Sequence, residues 1–240
     1  MRGWFLAGLL TACAPSASAP AAAPSPPPAS VPDAAPVSTR FVDLGDTPER
    51  LAVEPCQGLY VSIVQGSATA GEQALGVGDL LVVHPTGNPV APIELHGHGV
   101  AVVVRGPRLN CTGGPSAPTH ADVVPATAAP ELTFLGGAMH AHLDLVDPSA
   151  TIYVGRLGGT AGVPEHTHPS SWEILCDLEA SGTFTLDGKA QHLGPRACVA
   201  VPPGVKHSWQ PDPGSTLVAV QIYSPPGPEQ RFKKMAAEGR

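Results

Sequence analysis

The stretch GVPEHTHPSSWE, at residues 162–173, contains two histidines separated by one residue and, after a turn, a glutamate. In a β-strand the side chains alternate between two faces, so His166 and His168 point the same way and both imidazoles can face one metal ion. The turn at 169–171 allows the next strand to return Glu173 toward the same point. This stretch therefore predicts two strands that bring three metal-binding side chains together.

A second stretch, PPGVKH at residues 202–207, supplies a further histidine. Its Pro-Pro-Gly sequence is typical of a tight turn, and such a turn can aim His207 inward at the same ion. Three imidazoles and one carboxylate suit a first-row divalent ion and leave coordination positions open for water or a substrate. The sequence thus predicts a divalent transition metal as cofactor, with zinc, manganese, iron and nickel left open.

The two stretches resemble the two sequence motifs of the cupin superfamily. The first family motif is Gly, five residues, His-x-His, three or four residues, Glu, six residues and Gly. The second is Gly, five residues, Pro-x-Gly, two residues and His. The resemblance covers roughly residues 135–225 and implies a jelly-roll β-barrel that holds a metal ion. The metal ligands that it implies are His166, His168, Glu173 and His207.

The sequence departs from the family pattern at three places. Thr160 stands where the first motif begins with Gly, and Arg196 stands where the second does. Eight residues rather than six separate Glu173 from Gly182. These departures affect the expected strand lengths and the loop after Cys176, but none of them removes a ligand.

Short apolar segments alternate with glycine and proline turns on both sides of residues 112–130, which favours an all-β fold built of closed barrels. GDLLVVHPTG at 78–87 and RACVAVPPG at 196–204 share a strand followed by a Pro-x-Gly turn, which suggests an internal duplication. We therefore predict two consecutive cupin (jelly-roll) barrels, the first degenerate, and a short surface helix at 229–239. The expected strands lie at 59–64, 80–83, 100–104, 139–145, 151–157, 172–178, 182–186, 198–201 and 217–223.

The first half lacks the ligand set of the second. If Gly87 corresponds to Gly204, Val90 occupies the position of His207. We therefore expect the first barrel to be metal-free. The remaining histidines are predicted to be structural: His84, His96 and His98 in loops, and His140 and His142 on the outward face of a strand.

The N-terminal residues are typical of an export signal. Arg2 precedes the apolar residues 4–10, a run too short to span a bilayer. LTAC at 10–13 resembles the bacterial lipobox, which implies cleavage before Cys13 and lipidation of its thiol. Of the 26 residues at 14–39, 8 are Pro and 9 are Ala, a composition that predicts a disordered tether. We expect an exported lipoprotein of the bacterial cell envelope, attached to the membrane only through its lipid; ordinary secretion is the alternative.

Four cysteines remain besides Cys13, and an exported compartment permits disulfides. Two lie in each half, so Cys56–Cys111 and Cys176–Cys198 are the predicted pairs. The cupin resemblance implies that the strands carrying Cys176 and Cys198 are neighbours. Buried free thiols remain the alternative for the second pair.

The predicted organisation divides the chain into six segments. These are a signal peptide at 1–12, a lipidated cysteine and disordered tether at 13–39, a degenerate cupin-like domain at 40–112, a linker at 113–130, a metal-binding barrel at 131–226 and a tail at 227–240.

The net charge of −7 argues against a nucleic-acid partner, which would require a basic patch. The expected partner is a small-molecule ligand or substrate; the sequence does not decide the oligomeric state and leaves a homodimer open. Trp172 and Trp209 could line the pocket of this small molecule, or they could pack at the barrel rim without a role in binding. Three functions stay open: a metalloenzyme, for which no second catalytic acid or base is evident; a binding or sensory module; and a structural protein with a vestigial site.

Overall fold

The structure is a computed structural model that describes residues 35–84, 92–107, 120–147 and 151–239. The predicted signal peptide, Cys13, most of the tether and Cys111 lie outside the described residues. The lipidation of Cys13 and the pairing of Cys56 with Cys111 therefore stay predictions.

The described residues form seventeen β-strands, one 3-10 turn and one α-helix, and every strand expected from the apolar segments is present. The first half contains β1 (Ser38–Leu44), β2 (Glu49–Leu51), β3 (Gln57–Ala70), β4 (Gln73–Leu75), β5 (Leu80–His84), β6 (Ile93–Pro107) and β7 (His120–Val124). The second half contains β8 (Glu131–Phe134), the 3-10 turn (Leu135–Gly137), β9 (Met139–Asp147), β10 (Ile152–Gly159), β11 (Val163–His166), β12 (Trp172–Asp177), β13 (Gly182–Leu186), β14 (Lys189–Leu193), β15 (Ala197–Val201), β16 (His207–Pro211), β17 (Leu217–Ser224) and α1 (Gln230–Glu238).

The first half is one seven-stranded antiparallel sheet of order β1-β6-β3-β5-β7, in which β2 also pairs with β6 and β4 with β3. The long strands β3 and β6 pair along their length with Gly66 opposite Gly99, and both glycines have positive φ. A Cβ on Gly66 would lie 1.9 Å from the carbonyl oxygen of His98, so only glycine allows this approach. Residues of β3 on both sides of Gly66, such as Val61 and Ala68, belong to one apolar cluster. The sheet therefore curls around its own core as a degenerate barrel.

The second half is a barrel made of two antiparallel sheets. One has six strands in the order β15-β12-β17-β10-β9-β8, and the other has four in the order β11-β16-β13-β14. Phe184 and Trp209 of the smaller sheet pack with Tyr153 and Tyr223 of the larger sheet in the core between them. The inward-facing side chains of both sheets meet in this core, as strand alternation requires.

The two halves also share a core. Tyr60 and Val102 of the first sheet belong to the same buried cluster as Ile174, Val220 and Ile222 of the six-stranded sheet. The six-stranded sheet is therefore covered on both faces, which explains why β17 is an almost continuous apolar segment.

Several segments differ from the sequence-based expectations. The prediction of a disordered tether is wrong for its last residues, because Val37 is buried in a core cluster and Ser38 and Thr39 belong to β1, which pairs with β6. The predicted linker at 113–130 contains β7, which extends the first sheet by pairing with β5. The prediction that His84, His96 and His98 lie in loops is wrong, because β5 ends at His84 and the other two lie within β6. Each of these side chains is exposed or partly exposed, so a polar residue fits at that position of the strand.

Two smaller features bear on the expectations for the second half. Cys176 and Cys198 are opposite residues of β12 and β15 and form the predicted disulfide. Helix α1 occupies the region where a short surface helix was expected. No helix among the described residues is long and apolar enough to cross a membrane.

Arg196, which replaces the glycine of the second family motif, has a φ of 64° and so keeps the left-handed backbone that glycine would adopt. Its guanidinium lies 2.9 Å from a carboxylate oxygen of Asp43 and faces the ring of Phe41 at 5.5 Å. This departure from the family pattern is thus accompanied by contacts with the first half.

Candidate metal centre

The two predicted ligand stretches meet through the pairing of β11 with β16. His166 and His207 are opposite each other in this ladder, and their ring centroids are 4.1 Å apart. Strand β11 ends at His166, so His168 lies in the connection rather than on the same strand as expected. The backbone N–H of Gly204 donates to the carbonyl oxygen of His168 at 2.8 Å and links the two turns. The backbone of His168 is therefore held by the turn that precedes His207.

Glu173 reaches the three histidines from β12. Its Oε2 atom lies 2.9 Å from Nε2 of His168 and 2.8 Å from Nε2 of His207. One ligand atom from each of the four residues lies within 4.8 Å of all the others. Glu173, His168 and His207 are buried, and His166 is partly buried. The structure thus brings together the four predicted ligands.

Hydrogen bonds at Nδ1 orient the rings of two histidines so that their Nε2 atoms face the cluster. Nδ1–H of His166 donates to the carbonyl oxygen of Pro164 at 2.8 Å, and Nδ1–H of His207 donates to that of Val205 at 3.1 Å. With its proton on Nδ1, the neutral imidazole of His166 carries a lone pair on Nε2. Nε2 of His166 is buried and has no hydrogen-bond partner among the described residues. A buried imidazole nitrogen without a partner, beside two further imidazoles and a carboxylate, belongs to a donor set that fits a divalent cation.

Two residues of β17 hold the other carboxylate oxygen of Glu173. Nε2 of Gln221 donates to Oε1 at 2.6 Å, and the hydroxyl of Tyr223 donates to the same atom at 3.1 Å. Nη2 of Arg231, from α1, donates in turn to the hydroxyl of Tyr223 at 3.2 Å. Sequence analysis did not assign these three residues to the site. The available signal was a glutamine within an otherwise apolar strand.

The electrostatic environment keeps the site ready to bind a cation at neutral pH. Burial and, to a smaller extent, the positive charge of Arg231 lower the pKa of His166 to about 4. Burial alone would raise the pKa of Glu173, but hydrogen bonds with His168 and His207 outweigh it and hold this pKa well below its usual range. The site therefore presents a neutral His166 imidazole and a carboxylate, the protonation states that metal binding requires.

A cavity of about 160 Å³ lies beside His166, between the barrel and α1. Its lining is apolar except for His166 and the guanidinium of Arg231. The apolar part includes Phe134, Met139, Leu157, Phe232 and Met235. The stacking of Phe232 on Phe134, with ring centroids 5.5 Å apart, holds the helix over this cavity.

The structure does not place the two predicted pocket tryptophans at this cavity. Trp172 packs in the cluster between the two halves, because it precedes Glu173 and neighbouring residues of a strand face opposite sides. Trp209 does face the barrel interior, two residues after His207 on β16, but it lines a small separate cavity with Phe184 and Leu217. The assignment of Trp172 to a substrate pocket is therefore wrong.

The remaining histidines lie away from the four ligands. His140 and His142 alternate on β9 with the buried Met139 and Ala141, so they face outward as expected. His84 lies near His120 and Asp122 at the paired ends of β5 and β7. The side chains of His120 and Asp122 are 63% and 62% exposed, so this group offers no enclosed coordination sphere.

Comparison with known proteins agrees with this geometry. Residues 154–220 match the protein family described as "Cupin domain". Residues 154–220 belong to a cupin domain. The match includes all four residues of the cluster and ends one residue before Gln221.

Solved structures resemble both halves of the chain, and two examples with TM-scores above 0.5 show a bicupin-like fold. A putative glyoxylate-induced protein from Pseudomonas aeruginosa is 16% identical, with a TM-score of 0.52 over 78% of this chain and 73% of that one. An oxalate decarboxylase is 13% identical, with a TM-score of 0.55 over 78% of this chain and 68% of that one. No curated protein matches the sequence of this chain.

Proposed function

We propose that the cupin domain binds one divalent transition metal through His166, His168, Glu173 and His207, and that a small molecule binds in the adjoining cavity. The observation that carries this proposal is the convergence of four ligand atoms within 4.8 Å, one of them the buried, unpartnered Nε2 of His166. Zinc, manganese, iron and nickel all accept imidazole and carboxylate ligands. The bound ion would supply Lewis acidity to a group that reaches its open position.

The other residues of the site support this role by orienting Glu173. Gln221 and Tyr223 hold Oε1, so that Oε2 alone faces the histidines. Hydrogen-bond partners behind a metal ligand fix its direction and strengthen its binding. The backbone acceptors of His166 and His207 have the same effect on the two imidazoles.

Metal analysis of the purified protein tests the proposal. We expect about one equivalent of a divalent metal per chain and its loss in His207→Gln, which removes one ligand without adding a charge. His98→Gln is the matched control, because the His98 side chain is 75% exposed in the first half. Equal metal content in the His207→Gln and wild-type proteins would refute the assignment.

Two versions of this function differ in whether the small molecule reacts. The lining of the cavity favours a binding module, because the described lining residues include no carboxylate that could serve as acid or base. In a metalloenzyme the ion itself would have to activate the ligand or a water molecule. Recovery of unchanged ligand after incubation with the metal-loaded protein supports the binding module, and turnover supports the enzyme.

We further propose that the protein is an exported lipoprotein of the bacterial envelope, lipidated at Cys13. The support is the lipobox-like LTAC sequence and the Pro- and Ala-rich segment after it. The Cys176–Cys198 disulfide is consistent with an oxidising compartment. Labelling cells with palmitate should label the wild-type chain and not Cys13→Ser, and a labelled Cys13→Ser chain would contradict the proposal.

A further inference from the structure

Among the described residues that line the apolar cavity, Arg231 is the one charged side chain, and the candidate ligand His166 is neutral. Its guanidinium donates to the hydroxyl of Tyr223, which donates to Glu173, so two hydrogen bonds connect it to the metal cluster. The same guanidinium lies 5.1 Å from the ring centroid of the neighbouring Phe232. Arg231 therefore stands at the border between the metal cluster and the apolar part of the cavity.

Arg231 forms no ion pair with any described residue, unlike Arg156, which pairs with Asp144, and Arg196, which pairs with Asp43. The buried carboxylate of Glu229 lies two residues away, but it accepts hydrogen bonds from the Gly227 backbone N–H and the Gln230 amide instead. A guanidinium has five N–H donors, and the hydroxyl of Tyr223 uses only one. Arg231 thus retains donors for an anionic partner.

The charges around the cavity favour an anion. A divalent ion carries two positive charges against the single negative charge of Glu173, and Arg231 adds another positive charge. The described lining residues include no acidic side chain that would offset this excess. Since a guanidinium matches a carboxylate with two parallel hydrogen bonds, a carboxylate is the anion whose geometry fits best.

The apolar part of the cavity limits the rest of the ligand. Its volume is about 160 Å³, and an apolar protein cavity of roughly 150 Å³ accommodates benzene. Phe134, Leu157 and Met235 offer only apolar surface to it. Polar substituents far from the carboxylate would lose their hydrogen bonds to water there.

We propose that the ligand of this cavity is a monocarboxylate with an apolar body about as large as a phenyl ring. Its carboxylate pairs with Arg231 beside the metal, and its body lies among the apolar residues under α1. This inference rests on the proposed function, because the metal contributes to the positive charge and His166 forms part of the lining.

Titration calorimetry on the zinc-loaded chain tests the inference, with benzoate as the probe. We expect benzoate to bind, and benzyl alcohol, which keeps the ring and lacks the charge, to bind about tenfold more weakly or worse. Acetate, which keeps the charge and lacks the ring, should also bind more weakly. Failure of the zinc-loaded chain to bind benzoate, or equal affinity for benzoate and benzyl alcohol, would overturn the inference.

Variants of α1 test the role of Arg231. Arg231→Met should weaken benzoate binding about tenfold or more, and Arg231→Lys should restore part of it because it keeps the charge. Lys233→Met is the matched control, since Lys233 is exposed on the same helix and outside the cavity lining. The zinc content and circular dichroism of each variant separate loss of the anion site from loss of the metal or of the fold. Undiminished benzoate binding by Arg231→Met would overturn the inference.

The two proposals fail in different ways. Absence of zinc in the wild-type chain would refute the proposed function, whatever the benzoate result. The metal-free chain would then be titrated in the same way. Binding that depends on Arg231 would still support the carboxylate site, and absence of binding would overturn it.

Discussion

The two oxygens of Glu173 have separate contacts at the residue scale. Oε2 faces the imidazoles of His168 and His207, while Oε1 accepts from Gln221 and Tyr223. A carboxylate held on one side cannot rotate away from the site without losing two buried hydrogen bonds. The partners on β17 therefore determine which oxygen is offered to a metal.

Replacement of Tyr223 by Phe tests this division. The variant keeps the ring that stacks on Tyr153 but removes the hydroxyl that donates to Glu173. Metal affinity should fall about tenfold, the lower end of the effect of removing a group that orients a ligand. Competition with a chromogenic chelator measures this affinity.

Tyr60→Phe is the matched control for that measurement. The hydroxyl of Tyr60 is also buried and donates to Asp147, but it lies in the first half of the chain. Its removal should leave metal affinity unchanged. If the two variants lost metal affinity equally, the effect would come from general destabilisation rather than from the orientation of Glu173.

The four candidate ligands could be predicted from the sequence because their spacing within two short stretches carries the information. Gln221, Tyr223 and Arg231 could not, since their roles depend on β17 lying beside β12 and on α1 covering the barrel. Trp172 could have been excluded. Strand alternation places its side chain on the opposite face of β12 from Glu173, although the two residues are adjacent in sequence.

At the scale of elements, β12 separates two functions on its two faces. Glu173 points into the barrel, whereas Cys176 belongs to the cluster between the halves and is bonded to Cys198 of β15. The disulfide joins residues separated by 22 positions. It should stabilise the fold and leave the metal cluster unaffected.

The double variant Cys176→Ala, Cys198→Ala tests this separation. Loss of a cross-link with this loop length should lower the free energy of unfolding by about 3 kcal/mol in the chain-entropy model. Urea denaturation measures this change, and metal analysis of the folded variant should give the wild-type content. Loss of metal from a variant that is still folded would show that the two faces of β12 are not independent.

Strands with apolar segments could be predicted, and polar edge strands could not. Strand β14 is exposed along most of its length and ends the four-stranded sheet, and β7 ends the seven-stranded sheet. An edge strand satisfies its backbone through one neighbour and needs little apolar surface. Its sequence therefore resembles that of a loop, which is why β7 fell within the predicted linker.

At the scale of the whole molecule, the shared core joins the two halves into one folding unit. Side chains from the first sheet, such as Val102 and Val104, are buried against Ile174 and Ile222 of the cupin domain. Separation of the halves would expose this apolar surface to water, at a cost of about 25 cal/mol per Å². The first half thus stabilises the domain that carries the metal cluster, although it lacks the ligand set.

Substitution of Ile222 by Ala tests this coupling, because Ile222 is fully buried between the halves. The free energy of unfolding should fall by about 2–5 kcal/mol, and both halves should unfold in one transition. Circular dichroism and tryptophan fluorescence, recorded in urea, should give the same midpoint. Val77→Ala is the control, since Val77 is 59% exposed. Two separate transitions would show that the halves fold independently.

The most direct test of the metal centre is anomalous diffraction from crystals of the zinc-loaded protein, recorded on both sides of the zinc absorption edge. We predict one anomalous peak inside the cupin barrel, about 2.0–2.2 Å from Nε2 of each of the three histidines and from Oε2 of Glu173. A barrel without an anomalous peak, or a peak at His84, His120 and Asp122 instead, would contradict the account.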